Sequence, residues 1–282
     1  MADLGPSTQP LLATGDQLSS RQWRRWRYCY REYLAEFFGT YVLCALGVGG
    51  SISAVLNSDA QGQYAILVAL SWGLGVMLGL FSTQNVSGGH INPALTCAFA
   101  CWRRFPLRKI PGYLFCQLLG AFAASGTLHL LFMQSLNTYA RQQGHTNHGV
   151  LTASLFTSFP IPEVNNATGF LSTALAGAFI TVGALAVSGP RNVLPVGWSP
   201  LANGLFFSAV ILSLTFQSMG GVNPACDIGP RLYLIAAGWN ISLFHTSGHY
   251  FWVPIVAPCI GAMLGGLAFH LFVNHRGKLK ES

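Results

Sequence analysis

Six stretches of this chain are apolar over enough residues to cross the ~30 Å hydrocarbon core of a bilayer as helices. They fall at roughly 33–56, 64–82, 110–133, 167–187, 200–219 and 250–273. Two shorter apolar pieces, about 93–102 and 224–237, interrupt the order, and each opens at an Asn-Pro-Ala box. Glycines precede both boxes: Gly88 and Gly89 before Asn92-Pro93-Ala94, and Gly220 and Gly221 before Asn223-Pro224-Ala225. Asn accepts hydrogen bonds at a helix N-cap, and Pro at the first helical position gives up an N–H that has no partner there. At ~1.5 Å per residue a ten-residue piece is ~15 Å long, half a bilayer. The pattern predicts two re-entrant half-helices, whose non-helical approach must be buried in protein or border a water-filled cavity.

The flanks are polar. Residues 1–20 are rich in Ser, Gln and Gly, which predicts a disordered tail, and no short apolar core with a cleavage site suggests a removed signal peptide. Residues 21–31 interleave Arg with Trp and Tyr, which suits rings and charges at head-group level on the cytoplasmic face. The expected division is a cytoplasmic tail with this juxtamembrane segment over 1–31, a membrane domain over 32–275, and a cytoplasmic C-terminal tail over 276–282. Two halves, about 32–133 and 165–275, are joined by an extracellular loop.

Composition agrees with the pattern. Of 282 residues 51% are apolar and only 8% charged, against an ordinary ~25%, too few to solvate a globule of this size. The net charge of +7 points to lipid head groups rather than nucleic acid, because nearly all basic residues border apolar spans. With the N-terminus in the cytoplasm, Arg21, Arg24, Arg25, Arg27, Arg31, Arg103, Arg104, Arg108, Lys109, Arg191, Arg276, Lys278 and Lys280 all lie inside, and only Arg141 and Arg231 do not. The positive-inside rule thus predicts six spans with both termini cytoplasmic. Of the glycosylation sequons, those at Asn166 and Asn240 fall outside and that at Asn85 inside. The seven cysteines lie mostly in apolar stretches without paired spacing, so no disulfide framework and no zinc site are expected.

Three spans precede the fourth, so the second half enters the membrane inverted. A half-helix entering from the cytoplasm in the first half then enters from outside in the second, and their N-termini can meet near the midplane. The fold class expected is an all-α membrane protein with six transmembrane helices and two re-entrant half-helices in an inverted repeat. Two positive helix ends facing each other repel cations and orient a passing dipole. Asn92 and Asn223 can each offer an N–H to a passing oxygen, while the glycines expose carbonyls along the path. Such a lining suits water or a neutral hydroxyl-bearing solute and not an ion, which must lose its hydration shell.

The run Ser87-Gly88-Gly89-His90-Ile91-Asn92-Pro93-Ala94 and the run Gly221-Val222-Asn223-Pro224-Ala225 resemble the paired signatures of the aquaporin (major intrinsic protein) family, as does Ala35-Glu36-Phe37-Phe38-Gly39-Thr40. The resemblance covers about residues 32–275. It implies a six-helix, two-half-helix channel without a cofactor, assembling as a homotetramer with one pore per subunit, in the plasma membrane. Asp227-Ile228-Gly229-Pro230-Arg231, Phe156-Thr157-Ser158-Phe159-Pro160-Ile161-Pro162, Ala237-Gly238-Trp239 and Trp252-Val253-Pro254-Ile255-Val256-Ala257-Pro258 are similar to the vertebrate aquaglyceroporins. That branch implies passage of water, glycerol and other small neutral solutes, with urea a further candidate.

The resemblance also implies site roles. Trp72 matches the filter aromatic, with Gly220, Gly221 and Cys226 beside it at the outer constriction. Gly88, Gly89, His90 and Val222 supply pore-lining carbonyls. Glu36 matches the acid that braces the first re-entrant loop. The equivalent stretch of the second half is Ala176-Gly177-Ala178, so bracing there must differ. Asp227 and Arg231, at i and i+4, can pair and spare each a lone burial.

The chain departs from the family after the second box. Members normally carry Arg where this chain has Cys226, and the segment from Met219-Gly220 to Asn223 is about four residues shorter than in glycerol channels. Cysteine is a small, weak donor, so a wider or rearranged outer constriction is expected, with a thiol facing the pore.

Two other function classes compete with a channel. For a membrane enzyme, His145 and His148 have metal-ligand spacing, but their loop offers no nearby acid, and no Gly-x-Ser-x-Gly or His-Glu-x-x-His motif occurs. The chain therefore reads as no enzyme. The alternative within the fold is a poorly conducting, aquaporin-like protein with a structural or trafficking role.

Overall fold

The computed structural model describes residues 15–57, 61–103, 105–189, 194–195, 197–215 and 220–273. Residues 1–14 of the expected N-terminal tail and the whole expected C-terminal tail, 276–282, lie outside the described residues, as do Arg104, Arg191 and Met219. The described chain is helical: α1 (Gly15–Asn57), α2 (Gln61–Ser87), α3 (Pro93–Trp102), α4 (Ile110–Gln142), α5 (Val150–Ala153), α6 (Asn166–Val187), α7 (Ser199–Leu214), α8 (Ala225–Ala236), α9 (Thr246–His249) and α10 (Val253–Phe272). Single 3-10 turns at Leu107–Lys109, Ile241–Phe244 and Tyr250–Trp252 complete it.

Among the described residues, α1, α2, α4, α6 and α10 are long and apolar enough to cross a membrane. The fifth expected span, 200–219, is helical over less of its length: α7 ends at Leu214, about 24 Å at ~1.5 Å per residue, and residues 216–219 are not described. The N-terminal expectation needs correction too. Residues 15–20 continue α1 as helix instead of forming a disordered tail. Adding a residue to a helix already nucleated in the membrane costs little even where the sequence turns polar.

Packing follows the repeat. In the first half α1 lies against α2 and α4; in the second half α6 lies against α7 and α10. The half-helices are exchanged, α3 resting on α10 and α8 on α4, while α2 meets α7 between the halves. Lipid tails give helices no hydrophobic drive to associate, so small residues that allow close backbones decide which faces meet. A Cβ at Gly73 would lie 2.4 Å from the Gly204 carbonyl oxygen, and one at Gly261 would overlap the Ala174 carbonyl, so α2–α7 and α6–α10 are backbone-to-backbone contacts. Large apolar side chains such as Leu130, Leu131, Leu171 and Leu264 face outward.

Candidate pore and its two asparagines

The N-termini of α3 and α8 meet inside the bundle. Asn92 caps α3 in an extended conformation, its Oδ1 accepting the Ala94 N–H at 2.8 Å with Pro93 in the first helical turn. Asn223 makes the matching bond before α8, its Oδ1 accepting the Ala225 N–H at 3.1 Å. Each amide then reaches across the repeat: Asn92 Nδ2 donates to the Val222 carbonyl at 3.2 Å, and Asn223 Nδ2 donates to the Ile91 carbonyl at 2.8 Å. A carboxamide nitrogen carries two N–H donors, so each side chain braces the opposite loop with one and retains the other.

The glycines before the boxes adopt the left-handed region, Gly88 and Gly89 at φ 92° and 62°, and Gly220 and Gly221 at 104° and 69°. Ile91, β-branched, also has a positive φ of 42°, an unfavourable conformation that its surroundings must hold. Glu36, on α1, is the main clamp. Its Oε2 accepts the Ile91 N–H at 2.7 Å and Gln117 Nε2 at 2.7 Å, and its Oε1 accepts the His90 N–H at 2.9 Å and Ser87 Oγ at 2.6 Å. Four donors compensate a fully buried carboxylate. Gln117 Nε2 also reaches Thr96 Oγ1 at 3.0 Å, which ties the clamp to α3. His90 lies among Phe99, Phe105 and Tyr113, with Nδ1 3.2 Å from Thr96 Oγ1.

The second half is braced differently. Asp227 Oδ1 accepts Arg231 Nε at 2.7 Å across one turn of α8. Its Oδ2 accepts Thr157 Oγ1 at 2.7 Å, the Ser158 N–H at 2.9 Å and Ser158 Oγ. Arg231 donates on to the Leu243 carbonyl at 3.0 Å and to the Ser158 carbonyl, with its guanidinium 4.6 Å from the centre of the Phe159 ring. The pair therefore fastens the connection between the halves to α8. It acts on a different loop from the one Glu36 clamps.

Two cavities flank the asparagines. One of about 60 Å³ lies on the α3 side and includes Gly88, Gly89, His90, Ile91 and Asn92 in its wall. The other, about 410 Å³, lies on the α8 side and is bordered by Trp72, Gly220, Gly221, Val222, Cys226 and Asp227. Asn223 and Phe207 border both, so the cavities adjoin at the second box. Trp72 is held by a hydrogen bond from Nε1 to Ser51 Oγ at 3.1 Å and packs where α1 has Gly47. Cys226 is only 7% exposed and its sulfur points at Cys44 of α1, 2.6 Å away. Glu36 and Arg231 border neither cavity.

Phe207, Gln117 and Cys44 are site residues with no motif to mark them in the sequence; each is one apolar or polar position within a long stretch. Of the two outer sequons, Asn240 is exposed and caps the following turn, its Oδ1 accepting the Ser242 N–H at 2.8 Å. Asn166 is half-buried and its Nδ2 already donates to the Gly248 carbonyl at 2.9 Å.

Residues 22–269 match the Major intrinsic protein family. The chain belongs to that family. It is 34% identical over 265 residues to aquaglyceroporin-2 of Rhizophagus irregularis, covering 94% of this chain and 82% of that protein. It is 36% identical over 244 residues to human aquaporin-10, covering 86% and 81%. The crystal structure of the Plasmodium falciparum aquaglyceroporin superposes with a TM-score of 0.72 at 26% identity, covering 86% of this chain and 95% of that one. This major intrinsic protein is therefore an integral multi-pass membrane channel for water and small solutes, with the aquaporin fold, and not an enzyme.

Proposed function

We propose that the channel conducts water, glycerol and other small neutral solutes and excludes ions, with an outer constriction that selects less sharply than in its relatives. The observation that carries this is the pair of cavities adjoining at Asn223, where two half-helix N-termini converge and each asparagine retains an N–H. Positive helix ends disfavour a cation at that point, and donors there suit a hydroxyl or water oxygen. On the α8 side, Trp72 offers an apolar face to a solute's carbons, while Cys226 stands where a guanidinium would otherwise narrow the path and repel cations. Arg231 is no substitute, since it borders neither cavity and Asp227, Leu243 and Ser158 accept its N–H groups.

The basic residues at the α3 side favour an orientation with that side and both termini cytoplasmic, in the plasma membrane, and the family resemblance favours a homotetramer. Asn240 is the better glycosylation acceptor, because Asn166 would first have to give up its hydrogen bond to Gly248.

Vesicle swelling with water, glycerol and urea, for wild type and Cys226→Arg, tests the reading. Wild-type permeability to glycerol well above empty vesicles is expected, with Cys226→Arg reducing passage of the larger solutes most. An unchanged solute ranking in Cys226→Arg would refute the constriction argument. Permeability equal to empty vesicles would favour the structural or trafficking role.

A further inference from the structure

We propose that Cys44 and Cys226 form a reversible disulfide that joins α1 to the start of α8. Their sulfurs are 2.6 Å apart. That is contact distance between two free thiols, so little side-chain movement separates them from the ~2.05 Å of an S–S bond. The residues are 182 apart in sequence and come from opposite halves of the repeat, so only the fold brings them together. Both are buried in one apolar cluster, with Val76, Leu80, Ala121 and Ala124 around them. Cys226 alone of the two also borders the 410 Å³ cavity, which makes its sulfur the one a small reagent meets first.

Hydrogen peroxide, a neutral molecule small enough for that cavity, is the oxidant proposed. The Cys226 sulfur, giving up its proton, attacks one peroxide oxygen; the O–O bond breaks and one water leaves, so Cys226 becomes a sulfenic acid. The Cys44 sulfur then attacks Cys226 Sγ, its proton leaves with the hydroxyl as a second water, and the S–S bond closes. Two thiols are oxidised by two electrons and one peroxide is reduced to two waters. A dithiol reverses the step by attacking Cys226 Sγ, forming a mixed disulfide, and closing on itself. Cys97 of α3 and Cys259 of α10 are also hydrogen-bonded to each other, but neither borders the two cavities, which makes them an internal control.

The test uses the full chain in liposomes. Protein exposed to hydrogen peroxide is denatured, alkylated with N-ethylmaleimide, digested and mapped by mass spectrometry. The expected product is a peptide pair joined through Cys44 and Cys226, two hydrogens lighter than its reduced parts, lost with dithiothreitol and absent in Cys226→Ser. In Cys44→Ser, Cys226 should be trapped by dimedone as the sulfenic acid. Recovery of both wild-type cysteines alkylated after peroxide would overturn the proposal. So would oxidation of Cys226 with Cys44 still alkylated, or a bond at Cys97–Cys259 alone. The mapping is made on the wild type, so it stands even if a variant folds poorly, and it does not depend on which solutes the pore passes.

Discussion

Asn92 and Asn223 hold each other's loops. Asn92 donates to the carbonyl beside Asn223, at Val222, and Asn223 donates to the carbonyl beside Asn92, at Ile91. The N-terminus of each half-helix is thus positioned by the other half of the repeat. Removing either side chain strands a buried carbonyl and a helix N–H together, and each buried unpaired group costs about 1–3 kcal/mol. Asn223→Ala should therefore lower the thermal midpoint in detergent and reduce solute flux in vesicles. A variant with wild-type midpoint and flux would show that the cross-brace contributes nothing.

Glu36→Gln keeps the shape of the clamp but replaces one acceptor oxygen with a donor. The new N–H₂ must face either Ser87 and the His90 N–H or Gln117 and the Ile91 N–H, all of which donate to the carboxylate. A loss of about 2–4 kcal/mol is expected, from two unmade charge-assisted bonds. Thermal unfolding followed by size exclusion measures it, and Glu36→Asp, too short to span both pairs, should be destabilised as well.

Asp227 and Arg231 are both almost fully buried, so deleting one partner leaves an uncompensated charge. Arg231→Met should cost about 3–5 kcal/mol, whereas Asp227→Leu with Arg231→Met should cost less than the sum of the two single changes. Additive single and double effects would show that the two residues do not act as a pair.

Gly47 sets the position of Trp72. A Cβ at Gly47 would lie 2.4 Å from the Trp72 ring, so Gly47→Ala must shift the indole or the helix that carries Gly47. Trp72 also borders the large cavity. The indole is expected to move into it, lowering glycerol flux several-fold with little change in stability. Unchanged flux with a large loss of stability would place the strain in the helices instead.

Cys226 borders the same cavity, so a mercurial should reduce flux through the wild type. Cys226→Ser should retain most of its flux under the same treatment. Equal inhibition of both would mean that another of the seven cysteines is the target.

Much of the architecture was legible in the order of residues. Long apolar stretches, two half-length ones and the Asn-Pro-Ala boxes imply half-helices entering an inverted repeat, because hydrocarbon requires every backbone polar group to be satisfied within a helix or protected by protein. The boxes also specify their own caps, as the Asn92–Ala94 and Asn223–Ala225 bonds show. These are local rules, set by solvent and by neighbours a few residues away. Tertiary structure alone decided that Asn92 reaches Val222, that Asp227 fastens Ser158 rather than the loop opposite Glu36, that Phe207 joins two unequal cavities, and that Cys226 faces Cys44. The physical reason is that contacts over such separations depend on how closely two backbones approach, as at Gly73–Gly204 and Gly261–Ala174. In a uniformly apolar helix no pattern along the chain marks the face that will do so.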